Sequence, residues 1–190
     1  GLKHVGRITS LEQLSLGDTN VTDAGLQHLS RLTNLQQLGL YSTQVSDDGL
    51  RTLSALPNIG WLYLDETPIT DDGLEHLNRC NTLRWIALSR TQVTDAGLQH
   101  VSGLTDLYYL RLSYTEVSDA GVPHLLGLTN LEELWLDHSR VTLDGLASLR
   151  GITSLKRLMW GEKQVAEAGI GRVEEQLPGI VINPMEARGE

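Results

Sequence analysis

A period of 24 residues runs through almost the whole of this 190-residue chain and restricts what it can fold into more than any local signal. Leu11, Leu14, Leu16, Thr19, Val21, Asp23, Gly25, Leu26, Leu29 and Leu32 recur as Leu35, Leu38, Leu40, Thr43, Val45, Asp47, Gly49, Leu50, Leu53 and Leu56. Five more units then begin at Ile59, Leu83, Leu107, Leu131 and Leu155. A unit this short cannot bury its own apolar face, so successive units must stack and share one continuous core.

Each unit opens with Leu-x-x-Leu-x-Leu, whose second and third leucines alternate with the two-residue period of a short strand buried on one face. Thr19, Thr43, Thr67, Thr91, Thr115 and Ser139 follow in one column, where a hydroxyl can bond backbone groups in the turn. The apolar spacing then switches to three and four residues, as in Val93 to Val101, which predicts a short helix in every unit. Thr22, Ser46, Thr70, Thr94, Ser118 and Thr142 are its candidate caps. Asp23, Asp47, Asp71, Asp95 and Asp119 stand just inside, at the positive end of the helix dipole. A calcium site is the alternative for this acidic column, but capping accounts for every unit. The glycine column, Gly25 to Gly169, implies close approach of neighbouring backbone or an unusual backbone angle.

The segment Leu-x-x-Leu-x-Leu-x-x-Thr-x-Val resembles the signature of leucine-rich repeat proteins, with Thr where Asn is usual. The helical half, Thr-Asp-Ala-Gly-Leu-Gln-His-Leu at residues 22–29, is similar to the ribonuclease-inhibitor-like and F-box-associated branch and to bacterial repeat proteins. The resemblance implies an α/β solenoid, a horseshoe with a parallel β-sheet on its concave face and short helices on its convex face. Residues 1–184 are expected to form one such domain. It comprises a partial unit at 1–10, units starting at 11, 35, 59, 83, 107, 131 and 155, and a closing strand at 177–184 that ends in proline. Residues 185–190 are expected to be a disordered tail. Gly1 to Ser10 match Gly25 to Asn34 position by position, so the chain reads as a fragment that starts inside an eighth unit's helix.

A net charge of -9 argues against nucleic acid or an anionic membrane surface as the partner, because both are bound through clustered Lys and Arg. No stretch approaches the ~20 apolar residues of a membrane-spanning helix. The single cysteine, Cys80, occupies a leucine column and reads as a buried thiol, and with no apolar signal core in the first residues this points to a reducing, cytoplasmic setting. His4, His28, His76, His100 and His124 share one helix position, with no Cys or carboxylate column to complete a zinc site. No nucleophile, paired-carboxylate, phosphate-loop or dinucleotide motif appears, so the reading is a non-catalytic protein without metal or cofactor.

Positions three, five and seven of each unit point away from the core onto the concave face, with positions two and eight at its margins. Eight of the nine aromatic residues fall there, and only Trp160 takes a core position. The candidate partner-binding residues are Tyr41, Trp61, Tyr63, Arg84, Trp85, Arg90, Tyr108, Tyr109, Arg111, Tyr114, Trp135, Asp137 and His138. Trp61, Trp85 and Tyr109 are predicted neighbours in one column, beside Tyr63, Arg111 and Trp135, as a patch larger than monomeric surfaces normally expose. Asp65, Glu66, Glu132 and Glu133 would add to a mixed-charge rim. Trp, Tyr and Arg dominate binding hot spots, so the leading expectation is recognition of a protein partner. The alternatives are a carbohydrate ligand, a segment of a longer solenoid, self-association through the concave face, and an aromatic ladder that merely stiffens the sheet.

Overall fold

The computed structural model describes residues 1–53 and 55–185 of the chain. Its eight strands form one parallel sheet in strictly sequential order. They are β1 Gln13–Ser15, β2 Gln37–Gly39, β3 Trp61–Tyr63, β4 Trp85–Ala87, β5 Tyr109–Arg111, β6 Glu133–Trp135, β7 Arg157–Gly161 and β8 Val181–Met185. Every residue pairs with the one a full unit away: Gln13 with Gln37, Leu38 with Leu62, Trp61 with Trp85 and Arg157 with Val181. The leucine columns form a single continuous core. It is tight from the second unit onward, where Leu38, Leu40, Leu62 and Leu64 are fully buried. At the first unit Leu11, Leu14 and Leu16 are only half-buried.

The turn after each strand is built identically. Position eight, held by Asp18, Ser42, Glu66, Arg90, Tyr114 and His138, adopts a left-handed backbone with φ between 51° and 57°. The following hydroxyl closes the turn on the carbonyl three residues back, as Thr43 Oγ1 does to Leu40 at 2.6 Å and Thr91 Oγ1 to Leu88 at 2.7 Å. A non-glycine residue in this conformation is strained by roughly 1–2 kcal/mol. Here the strain recurs in six units, and the cross-coil bond from each position-eight N–H offsets it, for example Glu66 N to Ser89 O at 2.8 Å.

The acidic column does more than cap its own helix. Both oxygens of each carboxylate accept hydrogen bonds from the next coil's cap residue. Ser46 donates its N–H and hydroxyl to Asp23 at 2.8 and 2.6 Å, and Thr94 does so to Asp71 at 2.7 Å for each. The same pair links Asp47 to Thr70, Asp95 to Ser118 and Asp119 to Thr142. Thr70, Thr94 and Thr142 meanwhile cap their own helices. This tie explains the glycines. A Cβ added at Gly73, Gly97 or Gly121 would lie 2.2, 2.3 or 2.4 Å from Oδ1 of the preceding coil's Asp, a distance side chains do not tolerate. Close approach, and not an unusual angle, selects glycine at these sites. Gly169 is the exception, with φ of 85° between two helices and open space around it.

The helix of the fifth unit and the closing end differ in detail from the sequence reading. The fifth unit carries a 3₁₀-helix, Val122–Gly127, in place of an α-helix. Pro123 has no N–H to bond back to Asp119, which removes the α-helical bond there. After β7 the chain forms two helices, Glu162–Ala168 and Ile170–Gln176, so the closing strand is Val181–Met185 and not 177–184. Leu177 instead packs into the core, and Arg150 holds the last helix by bonding the carbonyls of Glu175 and Gln176. Residues 186–190 lie outside the described residues. Trp160 is buried as expected, its indole N–H donating to Val141 O at 3.2 Å. Cys80 is a buried free thiol whose pKa is raised by burial.

Removing the Asp71 carboxylate leaves the Thr94 donors unpaired, so Asp71→Ala is expected to destabilise by about 1–3 kcal/mol. Gly97→Ala is expected to destabilise as well, but by distinctly less in the Asp71→Ala background than in the wild type. Urea unfolding of the four proteins measures this coupling, and equal Gly97→Ala penalties in both backgrounds would disprove the close-approach account.

Candidate functional site

The concave face carries three groups of the predicted side chains. The first is a ladder. Trp85 and Tyr109, paired across β4 and β5, stack with ring centroids 3.3 Å apart and planes 6° from parallel. Tyr63 tilts against Trp85 at 6.0 Å and Trp135 against Tyr109 at 5.9 Å, extending the row from β3 to β6. The Arg111 guanidinium lies 4.3 Å above the Trp135 ring, a cation–π contact. Trp135 Nε1 donates to Glu133 at 2.8 Å, and Glu133 in turn is held by Arg157.

The second group runs along the left-handed turn residues at the rim. Ser42 Oγ donates to Glu66 at 3.1 Å, Glu66 pairs with Arg90 at 3.7 Å, Arg90 lies 4.0 Å over the Tyr114 ring, and Tyr114 stacks on His138 at 4.2 Å. The third group borders a hollow of about 560 Å³ lined by Trp61, Arg84, Trp85, Asp106, Tyr108, Asn130 and Glu132. Trp61 pairs with Trp85 in register but makes no ring contact among the described residues, while Trp85 stacks on Tyr109. Tyr41 stands apart, its ring seated over Gly17, where an added Cβ would come within 2.1 Å of it.

Two predicted contact residues are not accessible. Tyr109 is 4% exposed, covered by the rings on either side, and Asp137 is 5% exposed, accepting the Ser113 hydroxyl. The strand alternation does turn both outward, but packing along the face then covers them. Glu133, expected on the rim, is likewise buried. Trp61, Tyr63, Trp85, Arg111, Tyr114 and Trp135 are half-buried, while Arg84, Arg90, His138, Tyr41 (37%) and Tyr108 (40%) are exposed. The ladder therefore covers much of its own surface, and the patch is smaller than its ring count implies.

Burial raises the Tyr109 phenol well above its ordinary range, with Arg111 opposing in part. Burial and then the Asp65 charge raise Tyr63. The hydrogen bond from Lys156 lowers Glu132, and that to Glu133 raises Arg157. Among the described residues, three buried side-chain atoms lack a hydrogen-bond partner: Trp85 Nε1, Ser89 Oγ and Arg111 Nε. Each such group costs about 1–3 kcal/mol.

One column escaped the sequence reading. Asn34, Asn58 and Asn130, last in their units, donate side-chain amides to carbonyls of the preceding coil at 3.0, 2.7 and 2.8 Å. Their recurrence was the available signal. Asp106 occupies the same position, has no amide to donate, and turns an exposed carboxylate to the hollow. Among the described residues no cluster fit for a metal ion occurs, and no helix is long and apolar enough to cross a membrane. Ser113 gives its hydroxyl directly to Asp137 while His138 stacks on Tyr114, an arrangement unlike a nucleophilic triad.

Residues 7–30 match the family model described as Leucine Rich repeat, a span of one unit that the chain then repeats along its length. The chain has the leucine-rich repeat fold. An internalin from Listeria monocytogenes superposes with a TM-score of 0.76 at 21% identity, over 100% of this chain and 51% of that one. A leucine-rich repeat protein from Leptospira interrogans gives 0.70 at 19% identity, over 95% of this chain and 50% of that one. At these identities the likeness is one of fold. The chain spans about half the length of both structures. No curated protein matches it. Leucine-rich repeat solenoids generally serve as non-enzymatic protein-interaction scaffolds that use their concave surface.

The stacking contacts separate the tryptophans by role. Trp85→Ala strips a ring from both sides of the ladder and is expected to lower stability by about 1 kcal/mol or more beyond Trp61→Ala, which breaks no ring contact. Denaturant titration of the two variants checks the order; a larger loss for Trp61→Ala would contradict it.

Proposed function

We propose that this protein binds a macromolecular partner, most simply another protein, across the concave face of its third to sixth units. The observation that carries the reading is the hollow beside the ladder. Among the described residues Trp61 and Tyr108 have no ring partner there, and they stand next to exposed Arg84 and Asp106. Amphipathic aromatic rings at the edge of a depression, ringed by charge, have the composition of binding hot spots. The ladder beneath contributes rigidity. Rings already stacked lose little freedom on binding, so less ordering entropy opposes association. Tyr41, Arg90, Tyr114 and His138 extend the surface along its rim.

A carbohydrate ligand is the second reading, favoured by the same hollow, because Trp61 and Tyr108 could stack on a sugar ring while Asp106, Asn130, Glu132 and Arg84 bond its hydroxyls. Peptides selected from a displayed random library against the wild-type chain, and a glycan panel, distinguish the two. The expected result is a set of peptides whose affinity falls by about 2 kcal/mol, roughly 30-fold, in Trp61→Ala and Tyr108→Ala at unchanged melting temperature. Binding of glycans alone would support the second reading. Peptides that bind both variants as tightly as the wild type would overturn the concave-face assignment.

A further inference from the structure

Two columns of the solenoid supply the polar wall of the hollow. Position two contributes Arg84, Tyr108 and Glu132, and the last position of the fourth and fifth units contributes Asp106 and Asn130. Constant register sets members of a column side by side on strands about 4.8 Å apart. Tyr108 N accordingly donates to Arg84 O at 2.9 Å, and Glu132 N to Tyr108 O at 2.9 Å. Trp61 and Trp85 complete the lining with aromatic surface.

Part of this wall is already engaged. Glu132 is held by Lys156 at 2.7 Å with the Tyr108 hydroxyl beside it, and the Asn130 amide donates to Thr105 O at 2.8 Å. What remains is acceptors. The exposed Asp106 carboxylate has no hydrogen bond or ion pair among the described residues, and the oxygen of the exposed Asn130 amide accepts none there. Carboxylate and amide oxygens only accept, so the group that completes them must donate. A donor that is also a cation suits both the carboxylate and the face of an aromatic ring, and Tyr108 stands 40% exposed on the same wall. Arg84 forms no ion pair with Asp106 across the hollow; its long stem lets the guanidinium stay in water, where it acts as a like charge at a distance.

We infer that the hollow seats a lysine or arginine side chain of the protein partner, its cationic group on the Asp106 carboxylate and the Asn130 side-chain oxygen and its alkyl stem along the Tyr108 and Trp61 rings. The inference rests on the protein-binding reading above and names the side chain that enters the hollow. Every group it uses is reachable from solvent: Asp106, Asn130 and Tyr108 are exposed and Trp61 is half-buried. The net charge of -9 works in the same direction, drawing a basic segment towards the protein during encounter.

The test is a titration of the ¹⁵N-labelled chain followed through the indole N–H signal of Trp61, assigned by its loss in Trp61→Phe. N-acetyl-lysine N-methylamide and its arginine counterpart are the probes, with capped norleucine, capped glutamate and sodium chloride at matched ionic strength as controls. The expected result is a saturable shift with the basic probes alone. It weakens about fivefold in Asp106→Asn and in Tyr108→Leu, persists in Tyr108→Phe, which keeps the ring, and strengthens in Arg84→Met, which removes the like charge. No saturable shift, an equal response to norleucine, a preference for glutamate, or unchanged binding in Asp106→Asn would overturn the inference. The broader reading fails separately. Selected peptides that need Trp61 but contain no basic residue and bind Asp106→Asn normally would remove the cation anchor and leave protein binding intact.

Discussion

Everything in this molecule depends on one geometric constraint: each residue sits directly beside its counterpart one unit away. The buried leucines impose it. With Leu38, Leu62 and their equivalents fully enclosed, a slip of one residue along a strand would turn the apolar set out to solvent and the outward set into the core. Constant register makes every sequence position a column in space, and each column can then act as one physical unit along the solenoid.

The columns divide the labour. Leucines supply the apolar burial. The Asp-to-Ser/Thr ties and the asparagine amides satisfy polar groups between coils and resist sliding of one coil over the next, and the glycines leave the room those ties require. The concave columns are free of these duties, which is why their chemistry changes from unit to unit while the rest repeats. Gln13 and Gln37 give way to Trp61 and Trp85, then Tyr109, Glu133 and Arg157, along a single line of the sheet.

The solenoid, its register and the inward position of Trp160 were legible in the sequence because periodicity reports directly on which face is buried. The column to which each aromatic belongs was legible for the same reason. What the rings do to one another was not. Alternation places Tyr109 and Asp137 outward, but whether an outward residue stays accessible depends on its lateral neighbours, and Trp85 at 3.3 Å and Ser113 cover them. The cross-coil role of Asp71 was hidden too, since its partner Thr94 is a full unit away and local capping offered a sufficient explanation. At the closing end the period weakens, and there the predicted strand boundary shifted to Val181–Met185.

Register is tested most directly by excision. Deleting residues 83–106, one whole unit, keeps every remaining residue in its column, and the shortened chain is expected to unfold cooperatively with an unchanged circular-dichroism line shape and moderately lower stability. Deleting 83–105 instead shifts all later units by one position and is expected to abolish the cooperative transition. Equal tolerance of both deletions, or loss of folding on removal of the complete unit, would contradict the account.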